Sequence, residues 1–256
     1  MVLIPVMNLK YKIKYHVLSI SIMLIFFFGT LVSGAQPLLD QPTIKNGFRL
    51  GEMLEYSVKV RGIPAGSQTM QIKALKSIDG REVYHLASRS TVNKFFNILY
   101  AFDDRSESFI LTDGFFPLKY RRNLVDGRYK GNTAMDINDK KKIANIIKDQ
   151  KDYEISVPFG VQDELSMLYF IRTKDLEVGE EYELPAVLGT KLYKVGIEVL
   201  RTEKIKTVLG EKKTIVVRSI PRNALLWITQ DEERIMVKLE INTKMGKLVA
   251  ELKAIS

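Results

Sequence analysis

The sequence predicts a mainly β protein: a strongly curved antiparallel sheet or incomplete β-barrel with one internal helix serving as plug or lid. Three observations lead there. Apolar residues recur with period two through most of the chain, turn dipeptides separate the alternating runs, and a single segment switches to spacings of three and four.

In chain order, residues 1–35 read as a signal peptide. The basic stretch Lys10-Tyr-Lys-Ile-Lys14 precedes an uncharged apolar run from Val17 to Phe28, and small residues follow at Gly29, Thr30, Ser33, Gly34 and Ala35. That order is a positive end, an apolar middle and a peptidase site, with cleavage expected before Gln36 or before Ala35. The alternative is a single retained N-terminal anchor, for which the sixteen residues from Val17 to Val32 are short. Either way the folded part is expected outside the cytoplasm, periplasmic or secreted, and not an integral membrane protein after cleavage. Residues 36–47 read as an extended lead-in and residues 48–256 as a single β-rich domain.

Within that domain Leu54, Tyr56, Val58 and Val60 alternate with Glu55, Ser57, Lys59 and Arg61, one face for a core and the other for water. The same pattern returns at Met70-Ile72-Ala74, Phe116-Leu118-Tyr120, Tyr193-Val195-Ile197-Val199 and Val237-Leu239-Ile241. Half-solvated strands of this kind belong to antiparallel sheets. Asp79-Gly80, Asp113-Gly114 and Asp126-Gly127 supply hairpin turns between them. About eleven or twelve strands are expected.

The exception lies between Pro158 and Thr173. Val161, Leu165, Leu168, Tyr169 and Arg172 recur at spacings of three and four, which predicts a helix of about three turns from Val161 to Arg172. Asp163 and Glu164 fall in its first turn, where the helix dipole favours acids. Met167, Phe170 and Ile171 make it apolar nearly all round, so it is expected inside the curved sheet or across its mouth. Arg172 is expected to pair with Asp163 or Glu164, or to cap carbonyls, with anion binding as the alternative.

Composition narrows the chemistry. The chain has no Cys, which removes thiolate nucleophiles, thiol redox chemistry, zinc-cysteine sites and a lipid-bearing cysteine. Its two histidines are His16, in the leader, and His85, so a Ser-His-Asp triad has one candidate and a two-histidine metal site has none. No cofactor and no metal site is expected. Setting aside Lys10, Lys12 and Lys14 of the leader leaves 36 basic against 30 acidic side chains, a mild excess of +6. The excess is dispersed over separate segments, which argues against nucleic acid and leaves solvated turns or an anionic surface such as lipid or envelope polymer.

The residues that carry a family likeness are Phe48-Arg-Leu-Gly-Glu-Met-Leu-Glu-Tyr56, Gly62 to Gly66, Asp163-Glu-Leu-Ser-Met-Leu-Tyr-Phe-Ile-Arg172, Leu176-Glu-Val-Gly179 and Leu226-Trp-Ile-Thr-Gln-Asp-Glu-Glu-Arg234, with the final hairpin to Gly246 and Leu252. In these the chain resembles an uncharacterised family of exported bacterial proteins, the domain of unknown function 3108. The resemblance implies an antiparallel β protein outside the cytoplasm and brings no activity or catalytic residue. The chain departs from the family pattern after Arg234, where Ile235-Met236 stand in the stretch that otherwise holds a proline.

Candidate chemistry is thin. Asp103-Asp104 and Asp231-Glu232-Glu233 are the acid clusters able to supply a glycosidase-like pair, and both are expected as solvated turn acids. His85 is expected as a hydrogen-bonded strand histidine and Trp227 as a core residue, with sugar stacking as its second role. Aromatic residues are dense from Phe95 to Phe116, more than a three-turn helix would cover, which predicts a partly open apolar cavity. The candidate ligand-binding residues are Phe95, Phe96, Tyr100, Phe102, Tyr169 and Trp227. The function expected is a non-enzymatic periplasmic binding or carrier protein for an apolar, lipid-like ligand. The alternatives are an envelope structural or interaction protein with a filled barrel and a protein partner, then a carboxylate-dependent enzyme acting on polysaccharide.

Overall fold

The structure, a computed structural model, describes residues 36–37, 48–243 and 245–256. The predicted leader lies outside the described residues. Gln36–Pro37 form a short strand β1, followed by β2 (Met53–Val60), β3 (Ile63–Ile78), β4 (Arg81–Val92), a helical turn α1 (Lys94–Leu99), β5 (Phe102–Leu111), β6 (Pro117–Asp126), β7 (Tyr129–Asn138), β8 (Ile143–Lys148) and β9 (Lys151–Ser156). The chain then enters α2 (Ser166–Phe170), continued by one 3₁₀ turn (Ile171–Thr173). It ends with β10 (Glu181–Leu188), β11 (Lys191–Thr207), β12 (Gly210–Ile220), β13 (Ala224–Thr229), β14 (Met236–Thr243) and β15 (Gly246–Ile255).

The fifteen strands among the described residues form one sheet in the order β1-β10-β11-β12-β13-β14-β15-β2-β3-β4-β5-β6-β7-β8-β9. Two meanders, β2 to β9 and β10 to β15, meet where β2 pairs antiparallel with β15, Leu54 opposite Ile255 and Val60 opposite Leu248. Among the described strands only β1 pairs in parallel, with β10. The sheet does not close, because β9 and β10 do not pair. The chain leaving β9 stitches the gap instead: Gln162 N donates to Pro185 O at 2.9 Å and Val187 N to Gln162 O at 2.8 Å. Register shifts at Val58/Lys59, Ile72/Ala74, Phe109/Ile110, Val199/Arg201 and Leu252/Ala254 mark bulges, and an inserted residue bends and twists its strand, which is how so long a sheet curls.

The turn chemistry agrees with the sequence at β3–β4, where Asp79 and Gly80 both take positive φ, 50° and 75°, in a two-residue hairpin. A bulge brings backbones together at Gly66, where a Cβ would lie 2.1 Å from Thr91 O. Hairpin β8–β9 went unseen in the sequence because its turn residues Asp149 and Gln150 take positive φ, 50° and 66°, without a glycine to signal them.

The predicted helix is shorter than expected. Residues 161–165 are not helical, because Gln162 is held in the stitch to β10. Asp163 then starts the helix: its Oδ1 accepts from Leu165 N at 2.8 Å and Ser166 N at 2.6 Å, while its own N–H donates to Ser166 Oγ at 2.8 Å. Reciprocal bonding of this kind satisfies amides that the first helical turn leaves over. Every residue from Gly160 to Lys174 is buried, so the segment is a plug enclosed by the sheet. Leu165, Tyr169 and Phe170 join a cluster reaching Leu54 and Tyr56 of β2, Ile146 of β8, Leu184 of β10, Trp227 of β13 and Leu239 of β14.

Candidate functional site

The inner wall is polar along part of the first meander. On β5, Phe102, Asp104, Ser106, Ser108 and Ile110 are buried while Asp103, Arg105, Glu107 and Phe109 face outward. Gln68 of β3, Ser88 and Ser90 of β4, and Tyr120 and Asp126 of β6 are likewise buried. Adjacent Asp103 and Asp104 therefore point to opposite faces and cannot act as a pair. On the outside, Asp103 receives forked bonds from Arg89, at 3.0 and 2.9 Å, and from Arg105. Partial burial works to raise its carboxyl, but the hydrogen bonds from Arg105 and Arg89 hold it below the ordinary carboxylate range.

Inside, Arg122 of β6 ties the wall to the plug. Its Nε and Nη2 each donate to Asp104 at 2.9 Å, and its Nη1 donates to Glu164 at 3.1 Å. Glu164 also accepts from Tyr120 OH at 3.3 Å and from Gly189 N at 3.0 Å, beyond the end of β10. Ser108 Oγ donates to Asp163 at 2.5 Å. Burial pushes Asp163 up to about 6, against the bonds from Ser108, Ser166 and Leu165 that favour its charged form. Burial also raises Glu164, opposed by Arg122, and raises Asp126, opposed by its bond from Tyr100. The network closes one end of the plug.

A second latch holds the other end. Arg172 donates to both carboxylate oxygens of Glu52, at 2.7 and 3.0 Å, with side chains 2% and 1% exposed. Its Nε reaches Arg234 O at 3.1 Å and its Nη2 reaches Glu233 O at 3.0 Å. The guanidinium lies 5.0 Å from the Phe48 ring and 5.6 Å from that of Tyr169. The expected partners Asp163 and Glu164 are instead committed at the far end of the plug, so Arg172 pairs across the sheet. Arg234 in turn bonds Lys174 O and, at 3.0 Å, Asp175. The Ile235 amide, in the stretch where the resemblance leads to proline, donates to Thr229 Oγ1 at 2.9 Å, a bond proline lacks the N–H to make.

The six predicted ligand-binding residues do not converge on one site. Phe95 and Phe96 stand on α1, in edge contact at 5.5 Å, with Phe95 exposed. Tyr100 follows that helix, and its OH donates to Asp126. Phe102 is buried at the start of β5. Tyr169 is on the plug, 5.8 Å from Phe48, and its buried OH has no hydrogen-bond partner among the described residues. Trp227 is buried on β13 beneath Lys238, whose Nζ lies 4.5 Å from the ring. Sequence reasoning passed over a groove of about 550 Å³ at the opposite end of the sheet, lined by Arg81, Glu82, Leu111, Gly114, Phe116 and Phe159. Phe116 meets Phe159 edge-on at 4.6 Å.

The two acid clusters that could supply a glycosidase-like pair do not converge. Asp104 lies near the α1 end of β5, whereas Asp231 sits in the β13–β14 connection at the other end of the sheet, bonded by Lys212 at 2.8 Å and Thr229 at 2.6 Å. His85 faces outward, stacked on Phe109 at 4.5 Å with its Nε2 3.1 Å from Glu107. Its pKa is lowered by burial, with Glu107 opposing. Among the described residues no group of three metal-ligating side chains converges, and no helix is long and apolar enough to cross a membrane.

An open, strongly curved antiparallel sheet wrapped on its own buried segment defines a β-barrel-like protein with an internal plug. The chain belongs to the family described as Protein of unknown function (DUF3108), whose pattern matches residues 55–253. Among curated proteins nothing matches it. The fold is similar to that of a beta-barrel-like protein of domain of unknown function DUF1849 from Brucella abortus, at 10% identity and TM-score 0.53, covering 81% of this chain and 98% of that one. A Bacteroides fragilis protein with a YmcC-like fold is 10% identical, covers 84% of this chain and 98% of its own, and has a TM-score of 0.37.

Proposed function

We propose that this chain is a non-enzymatic protein of the bacterial cell envelope, exported by its leader, that works by binding from its surface while its own plug fills the interior. The observation that carries this reading is the unbroken burial of Gly160 to Lys174 inside the sheet, tied at one end by Glu164–Arg122 and at the other by Arg172–Glu52. A carrier needs internal space that its ligand can enter, and displacing this segment would strand buried charges. The basic leader with its apolar run and small residues supports export.

The apolar-carrier reading keeps one observation in its favour, the groove beside Phe116 and Phe159, whose volume falls in the range of small-molecule sites. Native mass spectrometry of the protein purified from its own compartment, followed by solvent extraction, separates the two. The filled-interior reading predicts the mass of the polypeptide alone and no stoichiometric lipid. A lipid retained at one per chain would replace it with the carrier.

A further inference from the structure

The strand order gives the molecule two chemically different ends. Because consecutive strands run antiparallel, the connections β2–β3, β4–β5 with α1, β6–β7, β8–β9, β10–β11, β12–β13 and β14–β15 all lie at one end, and the remaining connections at the other. The first end is basic: Arg61, Lys94, Arg128, Lys148, Lys151 and Arg222 stand in these turns or beside them. Of the acids there, Asp126 is bonded to Tyr100 OH, Asp149 to Tyr129 OH and Asn132 N, and Asp103 to Arg89 and Arg105, while Asp152 stands exposed beside Lys151. The other end carries Asp79, Asp113, Asp139, Glu177, Glu180 and Glu232, with Arg81 paired to Asp139, Arg49 to Glu233, Arg234 to Asp175, and the run Lys140-Lys141-Lys142 beside them.

The basic end also exposes its largest apolar side chains. Phe95 is 69% and Ile98 84% exposed on one side of α1, three residues apart, and Ile63 in the β2–β3 hairpin is 58% exposed. These belong to one neighbourhood. Asn93 N donates to Ala65 O at 2.9 Å and its Nδ2 to Pro64 O at 2.8 Å, fixing α1 against the β2–β3 turn. Arg61 N donates to Lys247 O at 2.8 Å, which brings the β14–β15 turn with its exposed Met245 alongside. The helical turn is held in place: Asn93 Oδ1 accepts from Phe96 N at 3.0 Å, Phe96 backs Phe95, and Tyr100 is tied to Asp126. Holding a Phe and an Ile out of the core on a tethered turn forgoes their burial.

We infer that this end seats on an anionic lipid surface, with Phe95 and Ile98 entering the headgroup region and the surrounding arginines and lysines facing lipid phosphates. Apolar tips ringed by cations are the pattern of an interfacial anchor, in which buried apolar area and charge attraction add. A soluble polyanion would use the cations and leave the apolar pair idle. A second copy presenting the same end would meet like charge. The inference rests on the surface-acting envelope reading for its choice of lipid, yet it is tested apart from it, since recovery of the chain in the cytosol would sink that reading whatever the vesicles show.

The test is co-sedimentation of the purified chain with vesicles of phosphatidylcholine containing about one third phosphatidylglycerol, and with phosphatidylcholine alone. The parent and all variants are purified from their own compartment, and their mass shows that the apolar run from Val17 to Phe28, which would partition into any vesicle, has been removed with the leader. Binding is expected to anionic vesicles only and to fall with salt. Phe95→Ser with Ile98→Ser, and separately Lys94→Glu with Arg128→Glu, are each expected to weaken partition about tenfold or more. Asp113→Asn at the other end is expected to leave it unchanged. Trp227 emission reports that each variant is folded. Phe95→Trp should add emission that shifts to the blue with anionic vesicles. Equal binding to neutral vesicles, an unshifted Phe95→Trp signal, or serine variants that bind as tightly as the parent would overturn the inference. The last result, together with full competition by polyglutamate, would assign the end to an acidic polymer.

Discussion

Arg172→Met is the sharpest perturbation of the plug. Arg172 makes two bonds to the Glu52 carboxylate and two to the carbonyls of Glu233 and Arg234, in a site where both charged side chains are almost fully enclosed. Removing the cation strands a buried carboxylate, which costs about 3–5 kcal/mol. With an unfolding slope of about 2–3 kcal/mol per molar urea, the midpoint should fall by about 1–2.5 M. Urea titration followed by the emission of Trp227, the sole tryptophan, reads this directly. The companion Glu52→Leu/Arg172→Met removes both charges and should recover most of the loss, leaving about 1–2 kcal/mol for the two carbonyls that lose donors. A single variant as stable as the parent, or a double variant no better than the single, would refute the latch.

Three further outcomes follow from the same structure. The Asp163 carboxyl is raised to about 6 from an ordinary 3.8, so the folded state holds its proton more tightly than the unfolded chain does. Its contribution to stability is fully present below about pH 4 and is lost as pH rises through about 6, by about 3 kcal/mol in all. Asp163→Asn should therefore flatten the fall in urea midpoint between pH 5 and pH 7.5. Arg122→Met removes the guanidinium bridging Asp104 and Glu164 and should destabilise by about 3–5 kcal/mol at pH 8. It should cost less as pH falls, because burial favours the protonated form of Glu164. Gly66→Ala places a methyl group 2.1 Å from Thr91 O, and thermal unfolding should show a loss of about 1–3 kcal/mol.

The strands were legible wherever core and solvent faces differ in polarity, as on β2, where Leu54, Tyr56 and Val58 are buried. The plug was legible as a segment because its apolar spacing breaks period two, but not its length, since the stitch of Gln162 to β10 is a long-range bond. The polar interior was not legible from hydrophobicity. In Asp-Asp-Arg-Ser-Glu-Ser of β5 both faces are polar, and the one available signal is that Ser106 and Ser108 alternate with the bulkier, charged Arg105 and Glu107, while Asp103 and Asp104 cannot be told apart. Phe95 and Phe96 resemble core in sequence, while Asn93, whose side chain accepts from the Phe96 amide, is the local sign that a helical turn starts there and lifts them out. The partnership of Arg172 with Glu52 joins positions 120 residues apart, and no local pattern announces it.

Amide hydrogen exchange across residues 165–173 bears most directly on the claim that the sheet is filled by its own chain. Protection equal to that of the buried strand β13 is predicted, with both regions exchanging only through global unfolding. Exchange of this segment at the rate of the exposed hairpin turns, while β13 stays protected, would show an interior that empties on its own, and the account would fail.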